Sequence, residues 1–327
     1  MKDTKPWNLV ADIGGTNARF AVHDITHNQL RDVLVLSVAE HSTFMNALEF
    51  LLTHIRNTGE WNIWPDAACL AVACPADREV IEFTNSSWTF TKTSLKTSLN
   101  HVPVDVINDF SAVAYSIPHL AVDEWHQIGG LTPIQEKPIC ILGPGTGLGA
   151  CTLLPLDSGY HVLDGEGGHI DFAPTTALEV ALLTDLQQRY PRVSVERVLS
   201  GKGIENIYQF LCDREKTKLE FKSAQEITEA AIQHNNEMAR RALSIFCEIL
   251  GSTASNLALI TGAKGGVYIA GGIAPRFIEF IDQSNFRQRF EDKGRFKSYV
   301  QDIPVRIILK PHLGLFGAQQ KVMSLNH

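Results

Sequence analysis

"ADIGGTNARFAV", residues 11–22, runs from an apolar segment through Asp12 into two glycines, a threonine and an asparagine, then resumes as a second strand-like segment. A hairpin needs only a two-residue turn such as Asn-Gly. The carboxylate at the strand end and the hydroxyl after the glycines are surplus to turning. Residues 137–156, "KPICILGPGTGLGACTLLPL", repeat the device as strand, Gly-Thr turn and strand. A third stretch, "GGVYIAGGIAP" at 265–275, again sets a glycine pair after an apolar run. Glycines let backbone N–H groups converge on an anion with no side chain in the way. One such turn alone reads as a tight turn. Three together, with hydroxyls at Thr16 and Thr146, point to phosphate.

Two other phosphate signatures fail. A Walker A loop needs G-x-x-x-x-G-K-[ST], and no glycine stretch here ends that way. Gly145-x-Gly147-x-x-Ala150, with Asp164 downstream, formally matches a dinucleotide fingerprint, but that fingerprint must open a helix. Here "CTLLPLDSGYHVL" follows, with β-favouring residues, Pro155 and the turn Asp157-Ser158-Gly159, so a hairpin is expected and nicotinamide chemistry is not.

Composition sets the outer bounds. The 327 residues suggest about two domains. With 29 basic against 36 acidic residues the net charge is −7, which argues against a general binder of nucleic acid or anionic membrane. Cys69, Cys74, Cys140, Cys151, Cys212 and Cys247 form no CxxC pair and read as reduced core residues. The first ten residues hold no signal-peptide stretch, and no run of about 18 apolar residues occurs anywhere. A soluble, cytoplasmic α/β protein is expected.

Along the chain, strands are expected at 9–13, 19–23, 33–38 and 67–73, with a helix over 43–55 carrying Phe44, Leu48, Leu51, Leu52 and Ile55. "VPVDVIND" reads as a strand running into a helix at "FSAVAYSI". Ser223 and Glu226 form a capping box, and 238–260 has the spacing of a buried helix. The segment after the Gly271-Gly272 pair is expected to stop at Pro275, 213–222 to be loop, "VRIIL" at 305–309 to be a late strand, and "GLFGAQQKVMSL" a helix packing back on the N-terminal domain. Two halves, each led by a glycine hairpin, suggest duplicated α/β domains facing a cleft.

Asp109 ends a strand, where ligands of α/β sheets gather. The residues alone leave it either a general base or an Asx cap on the following helix. Glu196 in "SVERVLSG" also reads as a first-turn glutamate capped by Ser194. "GEGGHIDF" could be a metal site through Glu166, His169 and Asp171, but no cysteine is near and no second histidine sits at ligand spacing. The strip at 286–299, "FRQRFEDKGRFKSY", mixes basic and aromatic residues as a nucleic-acid strip does, yet Glu291 and Asp292 interrupt it; a solvated amphipathic face is expected.

"DIGGTNARFAV", "ACP", "INDFSAVAYSIP", "GPGTGLG", "GEGGHIDFAP", "ERVLSG", "IAGGIAPRF" and "FEDKGRF" together resemble the bacterial ATP-dependent glucokinases of the hexokinase, actin and heat-shock ATPase superfamily. The resemblance runs in order from residue 11 to about residue 317. The cysteine-zinc motif of the related repressor-and-kinase sugar kinases is absent, which points to the zinc-free branch. The resemblance implies two actin-like (ribonuclease H-like) α/β domains flanking a cleft, a small one over 1–118 plus 310–327 and a large one over 119–309. It implies sugar and MgATP in that cleft, and a homodimer.

The same resemblance implies roles. Ala11, Asp12, Ile13, Gly14, Gly15 and Thr16 would meet ATP, with Asp12 holding Mg²⁺ through water, since that ion keeps most of its waters. Gly145, Thr146 and Gly147 would grip the phosphates, and Gly271 and Gly272 would lie against the adenosine. Asn108, Asp109, Glu166, His169 and Glu196 would contact the sugar, with Asp109 as the base. Two rivals are weaker. A sugar-responsive regulator should carry a helix-turn-helix, yet the first hairpin is reached by residue 14. An actin-like filament former has no use for Asn108, Glu166 and His169.

Overall fold

The computed structural model describes residues 4–83, 86–157, 159–233 and 236–325. The chain divides into two compact units, Met1–Leu120 with Lys310–His327, and Ala121–Leu309. In chain order, the first unit begins with β1 (Trp7–Ile13), β2 (Asn17–Asp24), β3 (Gln29–Ser37), α1 (Phe44–Thr58), β4 (Ala68–Val72), β5 (Val80–Glu82), β6 (Thr89–Thr91), α2 (Lys92–Ser98), β7 (Val104–Asn108) and α3 (Asp109–Ser116). The second unit holds β8 (Trp125–Gln127), β9 (Ile139–Pro144), β10 (Leu148–Leu156), β11 (Gly159–Gly165), α4 (Ala177–Gln187), α5 (Gly201–Glu215), α6 (Ala224–Ile232) and α7 (Glu237–Thr261). It continues through β12 (Val267–Ile269), α8 (Ile278–Gln283), α9 (Phe286–Glu291), α10 (Lys297–Val300) and β13 (Val305–Ile308). The chain then returns to the first unit as α11 (Leu313–Met323).

Each unit carries its own sheet, and the two sheets share a plan. The first has strand order β3-β2-β1-β4-β7, the second β11-β10-β9-β12-β13 with β8 added at the edge. In each, the first three strands are antiparallel and the next two parallel to the third. The expected duplication therefore extends well beyond the two glycine hairpins.

In the first unit, β1 is buried on both faces, which is why it is a nearly unbroken apolar run. Leu9, Ala11 and Ile13 face the side covered by α1; Val10 faces α3 and α11. α1 starts where the Thr43 hydroxyl accepts the Asn46 N–H at 3.1 Å, and ends at Gly59 in the left-handed region (φ 64°). Its buried stripe is the expected one: Phe44, Leu48, Leu51, Leu52 and Ile55. The opposite face is built from small residues, with Ala21, Ala71, Ala112 and Ala318 letting α3 and α11 lie close to the sheet.

Several expectations shift. β3 starts four residues before Val33, and Val38 falls in a 3₁₀ turn after it. Residues 213–215 belong to α5 rather than to a loop. Pro275 opens a 3₁₀ turn, Ala274–Phe277, instead of ending one, since its missing N–H costs nothing in a first turn. The β10–β11 hairpin forms with Leu156 opposite Gly159, and Ser158 of its turn lies outside the described residues. All six cysteines are buried. Among the described residues one helix, α7, is long and apolar enough to cross a membrane, but two thirds of that apolar stretch is buried in the second unit, as a core helix requires.

A polar relay ties the first hairpin to α11. Asn8 Nδ2 donates to His23 Nδ1 (3.2 Å), which puts the ring proton on Nε2 facing Asn28 Oδ1 (3.0 Å); Gln319 Nε2 donates to the same Asn28 oxygen (3.2 Å). Burial pushes the His23 pKa down, against the Asn28 bond and the Asp24 charge. The native state thus holds a neutral imidazole that the unfolded chain protonates near pH 6.5. Stability from this group is intact above pH 6.5 and is lost as pH falls below it, until the lowered native value is reached. The urea midpoint should therefore drop between pH 7.5 and 5, and His23→Gln should flatten that drop; identical slopes for both proteins would refute the relay's role.

Candidate active site

In the first unit, β1 delivers Asp12 to its C-terminal end and turns at once. Gly14 N–H closes the hairpin on the Asn17 carbonyl at 2.9 Å, and the Thr16 carbonyl accepts from Val38 at 3.0 Å. Gly14 and Gly15 are part-exposed and Thr16 is exposed. Ala11 and Ile13, by contrast, have fully buried side chains and pair with both β2 and β4, so their contribution to any ligand is indirect. Burial raises the Asp12 pKa, opposed by Arg19 and His312. The first turn of α11 lies against this carboxylate: a methyl on Gly314 would stand 2.8 Å from its Cγ. Arg19, His312 and Gly314 were not among the expected site residues. Arg19 sits inside the opening stretch, directly opposite Asp12 in the ladder, and that register was the available signal.

Asp109 is the first residue of α3, and the cap is its neighbour. Asn108 Oδ1 accepts the Phe110 N–H (2.8 Å), while Asn108 Nδ2 donates to the Cys74 carbonyl (3.3 Å). The Asx-cap alternative for Asp109 is thereby filled by Asn108, which retains one N–H and one lone pair for other partners. Asp109 is left with its carboxyl pushed up to about 6, first by burial and then by the negative charge of Asp12, against the helix-start N–H groups. Asp12 therefore stands close enough for its charge to act on Asp109. Among the described residues no cluster of three or more His, Cys, Asp or Glu side chains gathers as a protein-only metal cage would need, which includes Glu166, His169 and Asp171.

In the second unit, the second hairpin closes through Gly145 N–H on the Gly147 carbonyl (2.8 Å), leaving Thr146 exposed. Two other expected elements touch it. Glu196 Oε2 accepts the Leu148 N–H at 2.9 Å and lies so close to Gly147 that an added methyl would be 2.6 Å away. Gly271 (φ 87°) packs on the Pro144 carbonyl just before the hairpin, where no side chain fits, while Gly272 faces open space.

Glu166 and His169 flank a 3₁₀ turn, Gly167–His169, with His169 Nε2 3.9 Å from Glu166 Oε2, both side chains mostly exposed. The glycines between them are required because this turn lies on β10: a methyl on Gly168 would overlap the Leu148 carbonyl, and one on Gly167 would come 2.7 Å from Ala150 Cβ. The strip after His169 is zipped to 193–195 through Phe172 N–H on Val193 O (3.0 Å) and Val195 N–H on Ile170 O (2.9 Å). That zipper brings Glu166, His169 and Glu196 into one neighbourhood. Glu196 itself is in a 3₁₀ turn, Val195–Arg197, and Ser194 makes no side-chain cap, so the helix-capping alternative is not realised.

The strip at 286–299 divides in two. Arg289 is mostly buried on Glu179 (2.7 Å), Arg287 donates to the Ile303 carbonyl (2.9 Å), and Phe286 and Phe290 are in the core. Residues 294–298 are exposed, so the expected solvated face holds for that second half alone.

A family model described as Glucokinase matches residues 9–325. The chain is 42% identical over 312 residues to the glucokinase of Photorhabdus laumondii, covering 95% of each protein. It superposes on the crystal structure of a glucokinase from an Antarctic psychrotroph with TM-score 0.87, at 35% identity and 97% and 99% coverage. The glucokinase of Balamuthia mandrillaris, solved in complex with glucose, shares the fold at TM-score 0.79 and 24% identity, with 97% and 94% coverage.

Proposed function

The chain belongs to the glucokinase family, and on that premise we propose that it transfers the γ-phosphate of MgATP to the 6-hydroxyl of glucose, with Asp109 as general base. It is an actin-like α/β enzyme that phosphorylates glucose. The observation that carries the mechanism is the carboxyl of Asp109, placed at the start of α3 and raised to about 6 by burial and by Asp12. Such a group is ionised at neutral pH yet basic enough to accept a hydroxyl proton in the transition state.

Phosphoryl transfer asks mainly for alignment and charge neutralisation. The exposed turns at Gly14–Thr16 and Gly145–Gly147 supply backbone N–H groups and two hydroxyls for the phosphates. Asp12 would hold a magnesium ion through water; when bound, that ion neutralises phosphate charge. Gly271 and Gly272 leave a surface without side chains for the adenosine. The remaining amide capacity of Asn108, with Glu166, His169 and Glu196, provides acceptors and donors for sugar hydroxyls. Resemblance to the family also supports a homodimer and a cytoplasmic setting.

ADP release from MgATP should depend on glucose, fall for related hexoses, and be low without sugar. Failure of every hexose to stimulate turnover would remove the kinase reading and leave a non-catalytic sugar-binding regulator.

A further inference from the structure

Glu166 and His169 sit on a segment, residues 166–176, whose only regular structure is one 3₁₀ turn. Its shape is therefore set by what holds it. The start is fixed by the glycine packing on β10, and the middle by the zipper to 193–195. The end is fixed by a buried charge. Glu179 Oε2 accepts from Thr175 N–H (2.6 Å), Thr176 N–H (3.3 Å) and the Thr175 hydroxyl (3.1 Å). Its other oxygen accepts from Arg289 Nη2 (2.7 Å), and the same nitrogen meets the Thr175 hydroxyl (2.5 Å). The two side chains are only 12% and 4% exposed.

A buried ion pair is poor evidence for added stability, because an apolar pair of equal volume often does as well. What an apolar pair cannot do is fix the direction of Thr175 through its hydroxyl and amide. Arg289 is itself mostly buried, on the helix α9 that sets Phe286 and Phe290 into the core. The neighbouring space, bordered by Asp171, Glu179, Asn256 and Arg289, is about 20 Å³, room for about one water, so the segment has little slack there.

We propose that Arg289 is a positioning residue for the sugar: through Thr175 and Glu179 it holds the end of the segment that presents Glu166 and His169. This rests on the reading of those two residues as sugar contacts. Arg289→Lys keeps the charge beside Glu179 but replaces the planar fork with a single point donor. Slack at that anchor should raise the glucose KM about 10-fold, since sub-ångström misplacement of binding groups is costly. kcat at saturating glucose and the MgATP KM should stay within about twofold.

Thr175→Val, which disturbs no charge, should raise the glucose KM in the same direction, and the double variant should add little, because both act at one contact. A role in stability alone would lower the folded fraction and hence kcat, leaving both KM values as they were. Assays run well below the melting temperature of each variant separate the two. Glucose KM values within twofold of wild type in both single variants, alongside a large rise in His169→Ala, would overturn the positioning role. An unchanged glucose KM in His169→Ala would overturn the sugar-site reading, and this inference with it.

Discussion

Asp109→Asn should lower kcat about 10³-fold while leaving the glucose KM within about threefold, because the amide still hydrogen-bonds a hydroxyl but cannot take its proton. The wild-type kcat/KM should fall as pH drops through about 6, the value to which burial and Asp12 push this carboxyl. The same substitution should stabilise the protein. A carboxyl with a native value near 6, against 3.8 ordinarily, binds its proton more tightly folded than unfolded. Its contribution to stability is therefore present below about pH 4 and lost as pH rises to about 6, a cost of at most about 3 kcal/mol at pH 7.5. Urea unfolding at pH 7.5 should show Asp109→Asn more stable than wild type, and the gap should close toward pH 4. If kcat stays above a tenth of wild type, the carboxylate is structural and the proton goes elsewhere.

Gly317→Ala is expected to have the largest effect on stability of any single methyl in the first unit. Gly317 is where α11 crosses α3, and a Cβ there would overlap the Ala112 carbonyl and come 3.1 Å from Ala112 Cα. The obstacle is backbone on both sides, so no side chain can swing away. Overpacking usually costs 1–3 kcal/mol, and this site belongs at or above the upper end, about 3 kcal/mol. That is a large share of the roughly 5–15 kcal/mol that holds a domain together. Activity should fall too, since α3 begins with Asp109 and the first turn of α11 rests on Asp12. Gly272→Ala, with open space around it, should change stability by less than about 0.5 kcal/mol. A urea midpoint for Gly317→Ala matching that of Gly272→Ala would mean the helices separate at no cost.

What could be read in the sequence was local. The glycine hairpins, the stripe of α1, the capping box at Ser223 and the helical pattern of α11 all depend on residues within a few positions of one another, where periodicity and turn chemistry act. What escaped was set by distant partners. Arg289 reads as part of a basic, aromatic strip; its partner Glu179 is 110 residues away, and only the fold brings them together. The carboxyl of Asp109 is raised first by burial and then by Asp12 beside it, and no spacing along the chain reports either. Asn108 and Asp109 are adjacent and chemically alike, and only the folded helix start shows that Asn108 is the cap. Proximity in sequence does not show that the side chains of Ala11 and Ile13 are buried while the turn beside them is open.

The return of α11 to the first unit bears on how the protein is made. A ribosome releases β1 to β7 long before residues 313–323 exist, so through most of translation one face of the nascent first sheet, around Val10, Ala21 and Ala71, lacks the helix that covers it. The second unit, contiguous from Ala121 to Leu309, meets no such delay and can finish folding first. The Asp12 carboxylate acquires its α11 neighbours only after the whole second unit has been made. A chain broken off before α11 would leave that face bare for chaperones and proteases to find.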